Sequence, residues 1–159
     1  MKQFPEFGKT DLEKSVEANL IELKKSGIPK AGTGVFAKQD IPAKTDLGYY
    51  RGEALTEEQF HKRHGESGLG SYVLTVNHPV IPKSYIYVDG EKKGNWTSRM
   101  NSPRGTHLTP NVIFYEDGTV FAKRNIKKGE ELLVGYGSSY WNCGYWKKNT
   151  TRRSKSHQH

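Results

Sequence analysis

Gly32 and Gly34 bracket Thr33 just ahead of an apolar run, Val35-Phe36-Ala37. Residues without a Cβ let backbone amides and carbonyls come close to a ligand, although a Gly-x-Gly before a strand also serves as a plain turn. Asn101, in Arg99-Met100-Asn101-Ser102, carries a side-chain amide with both a donor and an acceptor to offer. Tyr50 and Tyr136 could each hold a cationic head against a ring face, and each would serve equally well as a half-buried packing tyrosine. Metal chemistry has little to work with. Cys143 is the only thiol and cannot build a cysteine-rich zinc site. The histidines, at 61, 64, 78, 107, 157 and 159, lack cysteine partners or helical spacing and read as surface residues.

The elements that must position these residues are short. Residues 1–16 are polar, with a short helix expected near Asp11–Val16. Asn19–Leu23 reads as a first strand, Ser26–Gly34 as a loop rich in turn residues, Val35–Ala37 as a second strand and Leu47–Tyr50 as a third. Thr56–Arg63 reads as a helix with Thr56 as N-cap and acids in its first turn. Tyr72–Val76 and Tyr85–Val88 alternate as strands, with Asp89-Gly90 expected as a hairpin turn. Val112–Tyr115, Asp117-Gly118 and Thr119–Ala122 repeat the hairpin pattern. Glu131–Val134 is a last short strand.

Composition agrees with a mostly-β single domain. The chain has 159 residues, of which 33% are hydrophobic and 17 are glycine, so short strands joined by turns are favoured over a helical bundle. The N-terminus has no apolar run of signal-peptide type, and no stretch approaches the roughly 20 apolar residues of a membrane span. With one cysteine, a reducing intracellular compartment is expected. The net charge is +8, and five of the basic residues lie at 147–155. That tail, 147–159, reads as solvated and basic, and it could also seek nucleic-acid phosphates.

Taken in order, four segments resemble the SET domain of protein-lysine methyltransferases. They are Ala31–Ala37; Gly94–Ser102 followed by Thr109-Pro110-Asn111; Arg124–Leu132; and Leu133-Val134-Gly135-Tyr136-Gly137. The stretch Tyr87–Gly90 through Asn95-Trp96 and Arg99-Met100-Asn101 is similar to the PR subgroup. The resemblance runs from about Leu20 to Trp141. It implies a SET-domain fold of several small sheets with a threaded, knot-like C-terminal crossing and few short helices. An N-terminal extension (1–17), a SET domain with an aromatic C-terminal lid (18–146) and the basic tail would then make up the chain.

The resemblance also implies roles. S-adenosylmethionine, leaving as S-adenosylhomocysteine, would be held by Ala31, Gly32, Thr33, Gly34, Tyr72, Asn101, Ser102, Tyr136 and Trp141, with no metal. Tyr136 matches the family's catalytic tyrosine, and Tyr50 an aromatic wall of the lysine channel that is also assigned to catalysis. Phe114 and Val134 occupy channel positions that bear on product number. Phe114 lacks a hydroxyl and Val134 is small, so multiple methylation is expected. Ser102 stands where the usual pattern has His, a feature shared with PR-type members, and Asn111 matches the closing Asn of the crossing. Tyr140, Trp141, Tyr145 and Trp146 could form an aromatic lid or pack on the core; Trp96 reads as core.

A histone tail is the implied leading substrate, placing the protein at chromatin in the nucleus, with a non-histone lysine as the alternative. Since the net charge disfavours a basic peptide, either Glu53, Glu57 and Glu58 would face the tail or the basic terminus would contact nucleosomal DNA. Two further readings stand beside this one: a non-catalytic PR-like interaction module, and a basic nucleic-acid-binding β-domain.

Overall fold

The computed structural model describes residues 2–64, 72–77, 85–103 and 106–135. Three small sheets carry the fold. The first strand, β1 (Lys2–Phe4), leads into α1 (Asp11–Asn19), then β2 (Ile21–Lys25), β3 (Thr33–Ala37), β4 (Asp46–Tyr49) and β5 (Gly52–Leu55). After α2 (Glu57–His64) come β6 (Val73–Asn77), β7 (Tyr85–Asp89), a 3-10 turn at Trp96–Arg99, β8 (Val112–Phe114), β9 (Thr119–Ala122), β10 (Glu131–Leu132) and β11 (Val134–Gly135). The sheet orders are β1-β5-β7-β6, β10-β3-β2 and β11-β8-β9-β4. Every pairing is antiparallel except β11 with β8.

Local sequence explains most of these elements. Helix α1 begins at a reciprocal capping box: Glu13 N–H donates to Thr10 Oγ1, and Thr10 N–H donates to Glu13 Oε1. The helix runs to Asn19, so the strand expected to begin there, β2, starts at Ile21. Thr56 and Gln59 form the same reciprocal pair ahead of α2. The Asp117-Gly118 turn joins β8 to β9 as expected. Asp89-Gly90 does not make a hairpin. Asp89 Oδ1 accepts the Glu91 amide in a local turn, and the chain passes on to the 3-10 turn, while β7 pairs with β6 and β5.

The stretch expected as an N-terminal extension is bonded into the fold. β1 pairs with β5, and Val16 of α1 is buried in the main core. Below α1, Arg51 grips Glu13 through two bonds, Nε to Oε2 at 2.6 Å and Nη2 to Oε1 at 2.7 Å, and also donates to the carbonyls of Phe7 and Gly8. The main core gathers Ile21, Val35, Leu47, Tyr50, Leu74, Val88, Trp96, Val112, Phe114, Val120, Ile126, Leu132 and Val134 from all three sheets. A second cluster, Leu55, Phe60, Val73 and Tyr87, seats α2 on the first sheet. Among the described residues, no helix is long and apolar enough to cross a membrane.

Candidate active site

The segment 131–135 is where the distant motifs meet. Leu133 donates its N–H to Asn111 Oδ1 at 2.7 Å, and its carbonyl accepts from the amides of Asn111 and Val112. One residue on, the Val134 amide points to the other edge and donates to the Asn101 carbonyl at 3.0 Å. Asn101 and Asn111 therefore flank the same short segment from opposite edges. Asn111 is fully buried, and its Nδ2 donates to the Glu131 carbonyl at 2.9 Å, so its side chain ties the segment 131–133 from within.

The glycine-bearing turn lies beside Asn101. The turn closes through Ser26 N–H to Gly32 O at 2.7 Å and Ala31 N–H to Ile28 O at 3.1 Å. Gly32 adopts a left-handed φ of 77°, and no described residue lies within 4 Å of where its Cβ would project. Thr33 O accepts from Asn101 Nδ2 at 3.0 Å. Gly34 serves a different purpose from Gly32: a Cβ there would overlap the Glu131 carboxylate. Glu131 accepts from Ser26 Oγ at 2.6 Å and from the Gly27 amide at 2.9 Å. Sequence reading gave Glu131 no role beyond the first residue of the short strand Glu131–Val134. The signal that could have found it is the absent side chain at Gly34, which leaves room for a long one from a neighbouring strand.

The aromatic side of the site grows from β4 and β8. Tyr50, just past β4, packs edge-on against Phe114 with ring centroids 5.2 Å apart. Both rings are buried, as is Val134. The Tyr50 hydroxyl donates to the Tyr72 carbonyl. The Tyr72 ring in turn carries the Arg99 guanidinium 4.9 Å from its centroid. The structure thus connects Thr33, Asn101, Val134, Phe114, Tyr50 and Tyr72 through hydrogen bonds, strand pairing and one ring contact. Ala31, Gly32 and Gly34 lie on the turn of that path, and Ser102 follows Asn101 directly. Tyr136 and Trp141 lie outside the described residues, as do the lid aromatics and the basic tail.

Burial pushes the Glu130 carboxyl up, but the Lys127 amide, Arg124 and Asn111 outweigh it and hold the group below its ordinary value. Two acids of the expected acidic cluster already have basic neighbours: Arg63 sits 2.8 Å from Glu53, and His61 lies 3.5 Å from Glu57. His64 departs from the surface reading. Its side chain is only 14% exposed and meets buried Asp89 at 3.0 Å, because α2 turns it inward beside Phe60. His61 and His107 are partly or largely exposed. Trp96 is core, as expected. No cluster of three metal-ligating side chains occurs among the described residues.

Comparison with known proteins gives this geometry its family. Residues 32–137 match the SET domain family model. The chain is 30% identical over 127 residues to the histone-lysine N-methyltransferase set-17 of Caenorhabditis elegans, covering 77% of this chain and 43% of that protein. Among solved structures it is similar to the methyltransferase domain of human PR domain-containing protein 2, with a TM-score of 0.57, 22% identity and coverage of 76% and 78% of the two chains. It is also similar to ctPRC2 in an autoinhibited conformation bound to S-adenosylmethionine, with a TM-score of 0.64, 25% identity and coverage of 86% and 17%. The chain spans less than half the length of the curated relative. With the turn and the two asparagines that flank Leu133 and Val134 in one place, this chain belongs to the SET-domain family.

Proposed function

We propose that the chain is a protein-lysine N-methyltransferase that takes methyl groups from S-adenosylmethionine, with a histone tail as its leading substrate. The observation that carries this reading is the path of hydrogen bonds from Thr33 through Asn101 to Val134, then by strand pairing to β8 and by ring contact from its Phe114 to Tyr50. It sets a bare backbone turn and an aromatic wall on opposite edges of one strand. The histone-lysine methyltransferase named among its relatives and the S-adenosylmethionine-bound neighbour support the same chemistry.

The turn suits such a cofactor. Among the described residues, none fills the space beside left-handed Gly32 and none donates a hydrogen bond to Asn101 Oδ1. When bound, the cofactor supplies a methyl group made electrophilic by its sulfonium. The chain's own residues hold, orient and desolvate. Ala31, Gly32 and Thr33 offer backbone groups, with Asn101 and Ser102 beside them. Tyr50, Phe114 and Val134 make an apolar wall. A free lysine, with a pKa of about 10.4, is almost wholly charged at neutral pH. An apolar wall and a neighbouring positive charge both lower that value and yield the neutral amine. Tyr50 contributes its ring to this wall, because its hydroxyl is committed to the Tyr72 carbonyl. Tyr136, the residue after β11, is the group assigned to orient the amine. Alignment of this kind can supply roughly 7–11 kcal/mol of barrier reduction.

The same wall argues for multiple methylation: Phe114 offers no hydroxyl and Val134 little bulk against the growing head group. Mass spectrometry of a methylated peptide should show di- or trimethyl product in the parent. It should show a shift toward monomethyl in Phe114→Tyr, and monomethyl product alone from the parent would contradict the assignment. The reading as a whole is tested by titrating the protein with S-adenosylhomocysteine and following labelled transfer to core histones. Binding with transfer supports it. Binding without transfer points to a non-histone lysine, and absent binding favours an interaction module of PR type.

A further inference from the structure

Glu131 is an acid beside the glycine-bearing turn that the proposed chemistry leaves unused, and its surroundings are specific. It pairs with Phe36 across β10 and β3. Gly34 lies two residues along β3 and so faces the same way, which is why the carboxylate can pass over it into the turn. There it takes the Ser26 hydroxyl on Oε2 and the Gly27 amide on Oε1. The Ser26 oxygen in turn accepts the Ile28 amide at 2.9 Å, so one carboxylate fixes three successive residues of the turn. Asn101 Nδ2 also leans on Glu131 Oε2 at 3.4 Å while donating to Thr33 O at 3.0 Å.

A carboxylate and a carbonyl are both acceptors only. The Asn101 amide must therefore turn its NH2 toward them. The flipped amide, nearly identical in shape, would set its oxygen against two other acceptors. We propose that Glu131 is a positioning residue that locks the Asn101 amide so that its oxygen, an acceptor, faces the ligand side of the turn. The ligand class this selects is one with a strong donor there. On the methyltransferase reading, on which the ligand's identity rests, that donor is the amino group of the cofactor's methionine end.

The test uses the full chain with Glu131→Gln, which keeps the shape but can donate as well as accept. In the free protein, the Asn101 side-chain amide resonance, identified by its loss in Asn101→Asp, should show two well-separated protons in slow solvent exchange. In Glu131→Gln the exchange should quicken by about tenfold, the scale of losing a hydrogen bond to a charged group. An unchanged resonance overturns the proposal. The second readout compares the Kd of S-adenosylhomocysteine with that of its analogue lacking the α-amino group. The penalty for removing the amino group should be large in the parent and should shrink about tenfold in Glu131→Gln. Equal weakening of both ligands would mean a merely structural role and would overturn the proposal. Glu131→Asp, which keeps the charge on a shorter arm, gives the same two readouts should Glu131→Gln fail to fold. A parent that binds neither ligand would defeat the methyltransferase reading, while the resonance would still decide the role of Glu131.

Discussion

Two buried polar side chains show how single residues set the stability of this fold. Glu13 is almost fully buried and holds Arg51 by two bonds. Burial pushes its carboxyl up, but the bonds from Arg51 and Thr10 outweigh burial and leave it below the ordinary glutamate value. A depressed carboxylate contributes stability that is present above its unfolded pKa and is lost as pH falls through its folded one. Denaturant melts across the acid range should therefore flatten in Glu13→Gln. Arg51→Met should cost about 3–5 kcal/mol near neutral pH by leaving a buried charge alone. Thr75 presents the opposite case. Its hydroxyl is buried without a hydrogen-bond partner among the described residues. Thr75→Val should therefore gain about 1 kcal/mol in the same melts, and a loss would show that the hydroxyl has a partner. Asn101 was legible from sequence because its motif has a fixed order. Glu131 and His64 were not, since their roles depend on Gly34 and Asp89, which only the folded chain brings to them.

Among the elements, α2 depends most visibly on one side chain. Phe60 stacks on Tyr87 with centroids 4.4 Å apart and planes 11° from parallel, and it is the helix's buried residue. Arg63 and His64 add contacts to Asp89. Phe60→Ala should cost about 3–5 kcal/mol, and hydrogen exchange should show the α2 amides losing protection ahead of those in β3. Equal loss everywhere would mean that α2 unfolds only with the whole domain. The helix itself was readable from Thr56 and the acids after it, because a cap is local chemistry. The role of Asp89-Gly90 was not readable. Its turn-forming chemistry is genuine, but whether a turn closes a hairpin depends on which strand pairs next, and β7 finds β5 and β6. β1 was also missed, since three polar-flanked residues carry no alternation that a sequence can display.

At the scale of the molecule, three small sheets share one core, and the hydrogen bonds of Leu133 and Val134 join motifs far apart in the chain. Their order was visible in the sequence. Their meeting was not, because it is made by bonds such as Leu133 N–H to Asn111 Oδ1 and Val134 N–H to Asn101 O, which no local pattern encodes. Strand β11 pairs with β8, which carries the Phe114 ring that packs on Tyr50, and it ends at Gly135, one residue before Tyr136 in the sequence. The most direct measurement is methyl transfer from labelled S-adenosylmethionine to core histones and nucleosomes, with Tyr136→Phe run beside the parent at equal cofactor occupancy. The account predicts label on a histone lysine with the parent and its loss with the variant. Transfer by Tyr136→Phe at the parent's rate would contradict it.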